Sequence, residues 1–183
     1  RNQTFTLSSP ARSDRGALVS RAAVPLSSSR MTPGDKSNLV KDLARRLGCD
    51  RVGITRPIPP LRTTYYRDWL AGGHAGAMTY LSENLRIRLD PARLLANAKS
   101  VICIAVNYHA TSSGQRQLPT EPGAYGKISN YVRGDDYHNI LRNILLHIDC
   151  LLRESLPEAF TSRICVDTAP ILEKDLAATA GLG

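Results

Sequence analysis

The chain lacks any uninterrupted apolar run of the roughly twenty residues that a membrane-crossing helix needs, so no segment reads as a transmembrane span. Aromatic residues are only 5% of the total, which counts against an RNA-binding sheet faced with stacking rings. Cysteine is sparse and dispersed: Cys49, Cys103, Cys150 and Cys165, with no Cys-x-x-Cys pair. Zinc and iron–sulfur sites usually draw at least two ligands from one tight motif, so these residues alone do not close one. Each lies in an apolar neighbourhood, which favours reduced, buried thiols over disulfides. Missing too are a phosphate-binding P-loop, Gly-x-Gly-x-x-Gly after a strand, His-Glu-x-x-His and Gly-x-Ser-x-Gly.

What is present suits one domain of ordinary size. The chain has 183 residues, of which 42% are hydrophobic and 22% charged, enough to build a packed core. The net charge is +8, from 24 Lys+Arg against 16 Asp+Glu. The first thirty residues carry half of that excess, with five Arg, one acid (Asp14), seven Ser and no Lys. Such a composition suits a disordered leader, a stretch translated upstream of a true start at Met31, or an organelle transit peptide. The leader or mis-set start is the preferred reading. Residues 31–183 are only mildly basic, a weak argument by itself for a polyanionic partner.

From Asp35 onward helices and strands alternate. Asp35 or Ser37 is expected to cap a helix with Leu39, Leu43 and Leu47 on one face, closed by Gly48. Arg51–Thr55 reads as a strand, Leu61–Leu70 as a helix, Met78–Leu85 as a short helix and Pro91–Ala98 as another. Ser100–Asn107 is the strongest strand signal, its apolar run suggesting burial on both faces. A polar loop over 109–125 follows, then an expected strand or edge segment at Lys127–Val132. Asp136–Leu156 predicts a long amphipathic helix, with Asp135 or Asp136 as its N-terminal acid. Ser162–Thr168 reads as a strand and Pro170 as the start of a last helix. The fold class is α/β (α+β), a mixed sheet with flanking helices.

Three phrases are candidates for chemistry. Asp167, in Val166-Asp167-Thr168, ends an expected buried strand, where ligands sit in open α/β sheets. Desolvation there would favour its neutral acid, a proton donor; the alternative is a helix N-cap. In Tyr131–His138, Gly134 permits a tight turn, while Tyr137 and His138 occupy a first helical turn. The helix dipole there suits the Asp135–Asp136 pair and disfavours charge on His138. This run is either a polar cap or the rim of a ligand site. Arg88 follows Arg86 before a Pro-started helix, and either binds a phosphate or amide-bearing ligand or lies on the surface. His74, His109 and His147 lack metal-ligand spacing.

Six phrases taken in order, GCDRVGIT (48–55), WLAGGHAGAMTYL (69–81), RLDPARLL (88–95), AKSVICIAVNY (98–108), YVRGDDYHNIL (131–141) and VDTAPILEKDLAATAGLG (166–183), resemble epoxyqueuosine reductases across residues 36–183. The resemblance implies a nitroreductase-like α/β domain that holds cobalamin. It implies electron transfer from two 4Fe-4S clusters to cobalt, and reduction of an epoxide on the tRNA wobble base to an alkene with loss of water, giving queuosine. The cluster ligands fall in a module after the AGLG phrase, so residues 31–183 are read as an N-terminal cobalamin-binding catalytic domain truncated before it. Alone, the chain is expected to lack turnover.

By the same resemblance Asp167 is the proton donor, kept neutral under a flat cofactor. Arg88, Ser129, Asp167, Lys174, Tyr137 and His138 are the implied cofactor-binding positions. Some relatives carry Cys where Ser129 stands, and Tyr137 and His138 are rim residues. The implied partners are tRNA bearing epoxyqueuosine and an external electron donor, with no membrane, a monomeric state and a cytoplasmic location. Competing readings are another cobalamin and iron–sulfur reductase such as a reductive dehalogenase relative, a flavin nitroreductase, and a non-catalytic RNA-binding module suggested by a pI near 9.6.

Overall fold

A computed structural model describes residues 31–108, 126, 129–133 and 135–183. The first thirty residues, the 109–125 loop, Lys127, Ile128 and Gly134 lie outside the described residues, and with them the sequence expectations that fall there. The order of elements is helix α1 (Pro33–Arg46), strand β1 (Arg51–Thr55), helices α2 (Thr63–Ala71) and α3 (Leu85–Arg88), strand β2 (Val101–Ala105), and helices α4 (Tyr137–Ser155) and α5 (Glu173–Thr179). Short 3-10 turns occur at Thr79–Leu81, Pro91–Arg93 and Asn130–Arg133. The α/β class is as expected. Within the described residues the sheet is two antiparallel strands, with Arg51 opposite Ala105 and Thr55 opposite Val101.

Local chemistry explains the helix ends. Thr32, rather than Asp35 or Ser37, caps α1: its Oγ1 accepts from the Asp35 backbone N–H (3.2 Å), while Asp35 Oδ2 accepts from the Thr32 N–H (2.9 Å). This reciprocal capping box, with Pro33 at the first helical position, satisfies two otherwise orphaned donors. Asp136 caps α4, accepting from the His138 N–H at 2.9 Å.

The core lies between α1, α4 and one face of the hairpin. Val40, Leu43, Ala44, Cys49, Ile148 and Leu152 are buried together, with Val52, Ile54, Ile102 and Ile104 against them. The strand period of two sends Gly53 and Cys103, paired across the ladder, to the opposite face. There α5 packs so closely that a Cβ at Gly53 would collide with the Ala180 carbonyl oxygen and stand 2.8 Å from its Cβ. A glycine is required for that approach.

These expectations change. Ser162–Thr168 forms no strand among the described residues and turns into a bend at Val166. Asn130–Arg133 is a 3-10 turn where an edge segment was expected, and Pro91–Ala98 closes as a 3-10 turn of three residues. β2 is half-buried on both faces rather than buried, with Val101 to Ile104 each partly exposed and Ala105 exposed. Cys150 is exposed, because it sits on the outer side of α4, whereas Cys49 is buried and all four thiols are free.

Candidate active site

The α5 face of the hairpin carries the charged groups. Asp167 adopts a left-handed backbone (φ 57°), unusual for a residue with a side chain. Its N–H donates to Glu173 Oε1 at 3.0 Å, which ties this bend to the start of α5. Crowding by protein pushes the Glu173 carboxyl up, and the nearby Asp167 charge adds to that.

The bend aims the Asp167 side chain at the first turn of α4. Tyr137 Oη donates to Asp167 Oδ2 at 3.0 Å, and His138 Nε2 lies 3.4 Å from the same oxygen. His138 Nδ1 stands 2.7 Å from Asp136 Oδ1, so the imidazole is held between two carboxylates. The rings of Tyr137 and His138 stack with centroids 4.0 Å apart. Tyr131 meets Tyr137 edge-on at 5.4 Å, and Tyr108 meets Tyr131 at 5.8 Å.

The electrostatics follow from these bonds. The Asp167 hydrogen bond pushes the Tyr137 phenol from 10.0 to about 12, because a phenolate could not donate it. The hydrogen bond to Asp136 raises His138 above 6.5, with Asp167 adding to it. This reverses the expectation from the helix dipole: a carboxylate in direct contact outweighs a half-charge spread over a helix end. The bonds to His138 hold Asp136 below its ordinary value.

Of the sequence-derived positions, the structure brings Asp167, Tyr137 and His138 together. Arg88 ends α3, where its Nη2 donates to the Tyr80 carbonyl (3.2 Å) and its Nε is buried without a partner. Ser129 is exposed before the 3-10 turn, and Lys174 is exposed on α5. Among the described residues no hydrogen bond or ion pair joins Arg88, Ser129 or Lys174 to Asp167. The expected burial of Asp167 is also corrected. Its side chain is 62% exposed, and its segment is a bend rather than the end of a strand. Asp136 and Glu173 were missed as site residues. The Asp-x-His spacing across a helix cap could have signalled Asp136; the Glu173 contact depends on the left-handed bend and has no local signature. Among the described residues no three metal-ligating side chains come together.

The class so defined is an α/β domain whose edge holds one carboxylate between a phenol and an imidazole, equipment for moving protons to a bound substrate. Comparison with known proteins narrows it. Residues 88–168 match a family model described as epoxyqueuosine reductase QueG, DUF1730. The chain is 33% identical over 148 residues to the epoxyqueuosine reductase of Cyclobacterium marinum, covering 80% of this chain and 46% of that protein. It is 34% identical over 158 residues to that of Pseudomonas aeruginosa, covering 84% and 43%. The solved epoxyqueuosine reductase of Streptococcus thermophilus superposes with TM-score 0.62 at 27% identity, over 80% of this chain and 39% of that one. A structure of epoxyqueuosine reductase with an epoxyqueuosine-modified tRNA stem loop shares the fold, with TM-score 0.57 at 22% identity over 81% and 38%. The chain is thus similar to epoxyqueuosine reductases over most of its length, and it spans about half the length of the curated relatives it matches.

Proposed function

We propose that this chain is the proton-delivering domain of an epoxyqueuosine reductase, acting on epoxyqueuosine in tRNA to give queuosine. The observation that carries the reading is the convergence of Tyr137 Oη and His138 Nε2 on one oxygen of Asp167. Turning an epoxide into an alkene removes its oxygen as water and consumes two electrons and two protons. The developing alkoxide needs a positioned acid. His138, protonated between Asp136 and Asp167, passes a proton from Nε2 to Asp167 Oδ2, the resulting carboxylic acid hands it to the substrate oxygen, and His138, recharged from solvent at its exposed edge, supplies the second proton by the same route. Tyr137 fixes the carboxylate by donating to the same atom. Proton supply by neighbours thus replaces the desolvation expected from sequence.

Cobalamin is part of the proposal. Arg88 fits a polar group of such a cofactor, since its buried Nε lacks an acceptor. Arg88, Ser129, Lys174, Tyr137, His138 and Asp167 are the residues that would hold it. Bound cobalamin would supply the electrons through its cobalt. The residues do not fit an iron–sulfur cluster: the four cysteines are free and dispersed, and no step is assigned to one. The tRNA partner is supported by the fold shared with the tRNA-bound relative. An external electron donor, monomeric state and cytoplasmic location remain part of the same proposal; no helix of the described residues is long and apolar enough to cross a membrane.

The test is Asp167→Asn in this chain joined to an electron-supplying module of the family. The variant keeps the corrinoid absorbance band and loses turnover of epoxyqueuosine-bearing tRNA by about 10²–10⁴-fold, the usual worth of a general acid. Undiminished turnover overturns the role.

A further inference from the structure

A second feature lies away from Asp167. An open hollow of about 310 Å³ separates α2 from the α3 region and is lined by Thr63, Arg67, Arg86, Leu89, Asp90 and Arg93. Its three guanidinium groups come from three separate elements, so the fold gathers them. The one acid, Asp90, is already engaged by Arg93 Nε at 2.9 Å. Arg67 and Arg86 are exposed and have no hydrogen-bond or ion-pair partner among the described residues. Thr63 Oγ1 donates to the Pro60 carbonyl at 2.7 Å, which leaves recognition to the cations. A further cation adjoins this wall, since Arg163 Nη1 donates to the Leu94 carbonyl at 3.3 Å.

We infer that this hollow binds phosphates of the RNA backbone next to the substrate base. The inference rests on the reading of RNA as substrate and adds where its backbone is held. Unpaired arginines that converge on one hollow repel each other until an anion enters, and the planar guanidinium fork matches phosphate oxygens bidentately. An open hollow with cations along two walls suits successive phosphates of a chain better than one enclosed anion. The position fits as well. The Arg62 N–H, at the foot of α2, donates at 3.0 Å to buried Asp175 of α5. Glu173 of the same short helix accepts from Asp167 at 3.0 Å. One helix therefore anchors both the edge of the hollow and the bend that carries the proton donor.

The experiment measures binding of a fluorescein-labelled, unmodified RNA stem-loop to the 183-residue chain as salt rises from about 50 to about 200 mM. Arg67→Ala/Arg86→Ala should lower the slope of log affinity against log salt by about 1.4 to 1.8, as expected for two lost phosphate contacts. Arg45→Ala/Arg46→Ala removes equal charge from α1 and should leave the slope within about 0.3 of the parent's, far below the value for one lost contact. Arg67→Lys/Arg86→Lys, which keeps the charge and loses the fork, should retain the slope and weaken binding several-fold; it also keeps the test valid should the alanine variant fail to fold. An unchanged slope in the hollow variant, equal losses in both alanine pairs, or a parent that does not bind RNA each overturns the site. None of these outcomes bears on Asp167, whose role is read by turnover.

Discussion

The two faces of the β1–β2 hairpin are built on opposite plans. On one, Val52, Ile54, Ile102 and Ile104 meet Leu43, Ala44, Ile148 and Leu152, an aliphatic surface with no charge in it. On the other, Gly53 and Cys103 meet α5, beyond which Glu173, Asp167 and His138 form a bonded but exposed cluster. The same ten strand residues serve both, because alternate side chains point opposite ways. Dispersion and apolar burial hold the first face, at about 1.5–3 kcal/mol for each fully buried Leu or Ile. On the second, α5 packs closely at Gly53 with its Leu176 buried, and the hydrogen bonds among the exposed charges beyond it add little to global stability. Packing and proton chemistry are thus kept apart, so the groups that move protons can be rearranged without unfolding the domain.

That division can be broken from either side. Leu152→Ala, at a position 5% exposed, removes methyl groups from the helical core. Urea unfolding should show a loss of about 2–5 kcal/mol, the usual range for a buried Leu-to-Ala change. A loss below about 1 kcal/mol would mean that the core is not where the stability lies. Gly53→Ala attacks the other face by forcing a Cβ against Ala180. Overpacking of this kind costs about 1–3 kcal/mol. It should loosen α5 selectively, so thiol labelling of Cys103 should accelerate while buried Cys49 stays slow. Equal acceleration at both thiols would show that the hairpin and its two coverings yield as one body.

The first face was legible in the sequence and much of the second was not. The stripe of Ile144, Leu145, Ile148, Leu151 and Leu152 repeats with the helical period, and the strands RVGIT and VICIA carry apolar β-branched runs. Periodicity reports such burial directly. Ser162–Thr168 has the same local pattern, yet it forms no strand among the described residues, since strand pairing depends on partners distant in sequence. The motif phrases located Asp167, Tyr137 and His138, and the structure assembles these three. Their bonding was hidden, because it depends on the left-handed backbone at Asp167 and on which rotamers meet across thirty residues. The sign of the His138 shift was misread for a related reason: the cap geometry that presses Asp136 against the ring is a side-chain fact, whereas the dipole is a backbone one.

The smallest effects on stability carry the sharpest information about the second face. His138 is raised above 6.5, chiefly by Asp136, so its contribution is fully present below pH 6.5 and fades as pH rises through the raised value. Tyr137 is raised from 10.0 to about 12, chiefly by Asp167, so its contribution is present below pH 10 and fades between there and about 12. Asp136 is lowered from 3.8, so its contribution is present above that value and is lost as pH falls through the lowered one. The cluster is therefore held best from just above pH 3.8 to about pH 6.5 and loosens in two alkaline steps. Because these side chains are exposed, the global unfolding midpoint should barely follow. The measurements are the phenolate absorbance of Tyr137, isolated by difference against Tyr137→Phe, and the imidazole NMR shifts of His138. Asp167→Asn should return Tyr137 toward 10 while His138 stays raised, and Asp136→Asn should do the reverse. The two substitutions separate because each ring takes its largest shift from a different carboxylate. A Tyr137 that titrates near 10 in the parent chain would show that Asp167 is not held by the phenol, and the proton route through this face would fail with it.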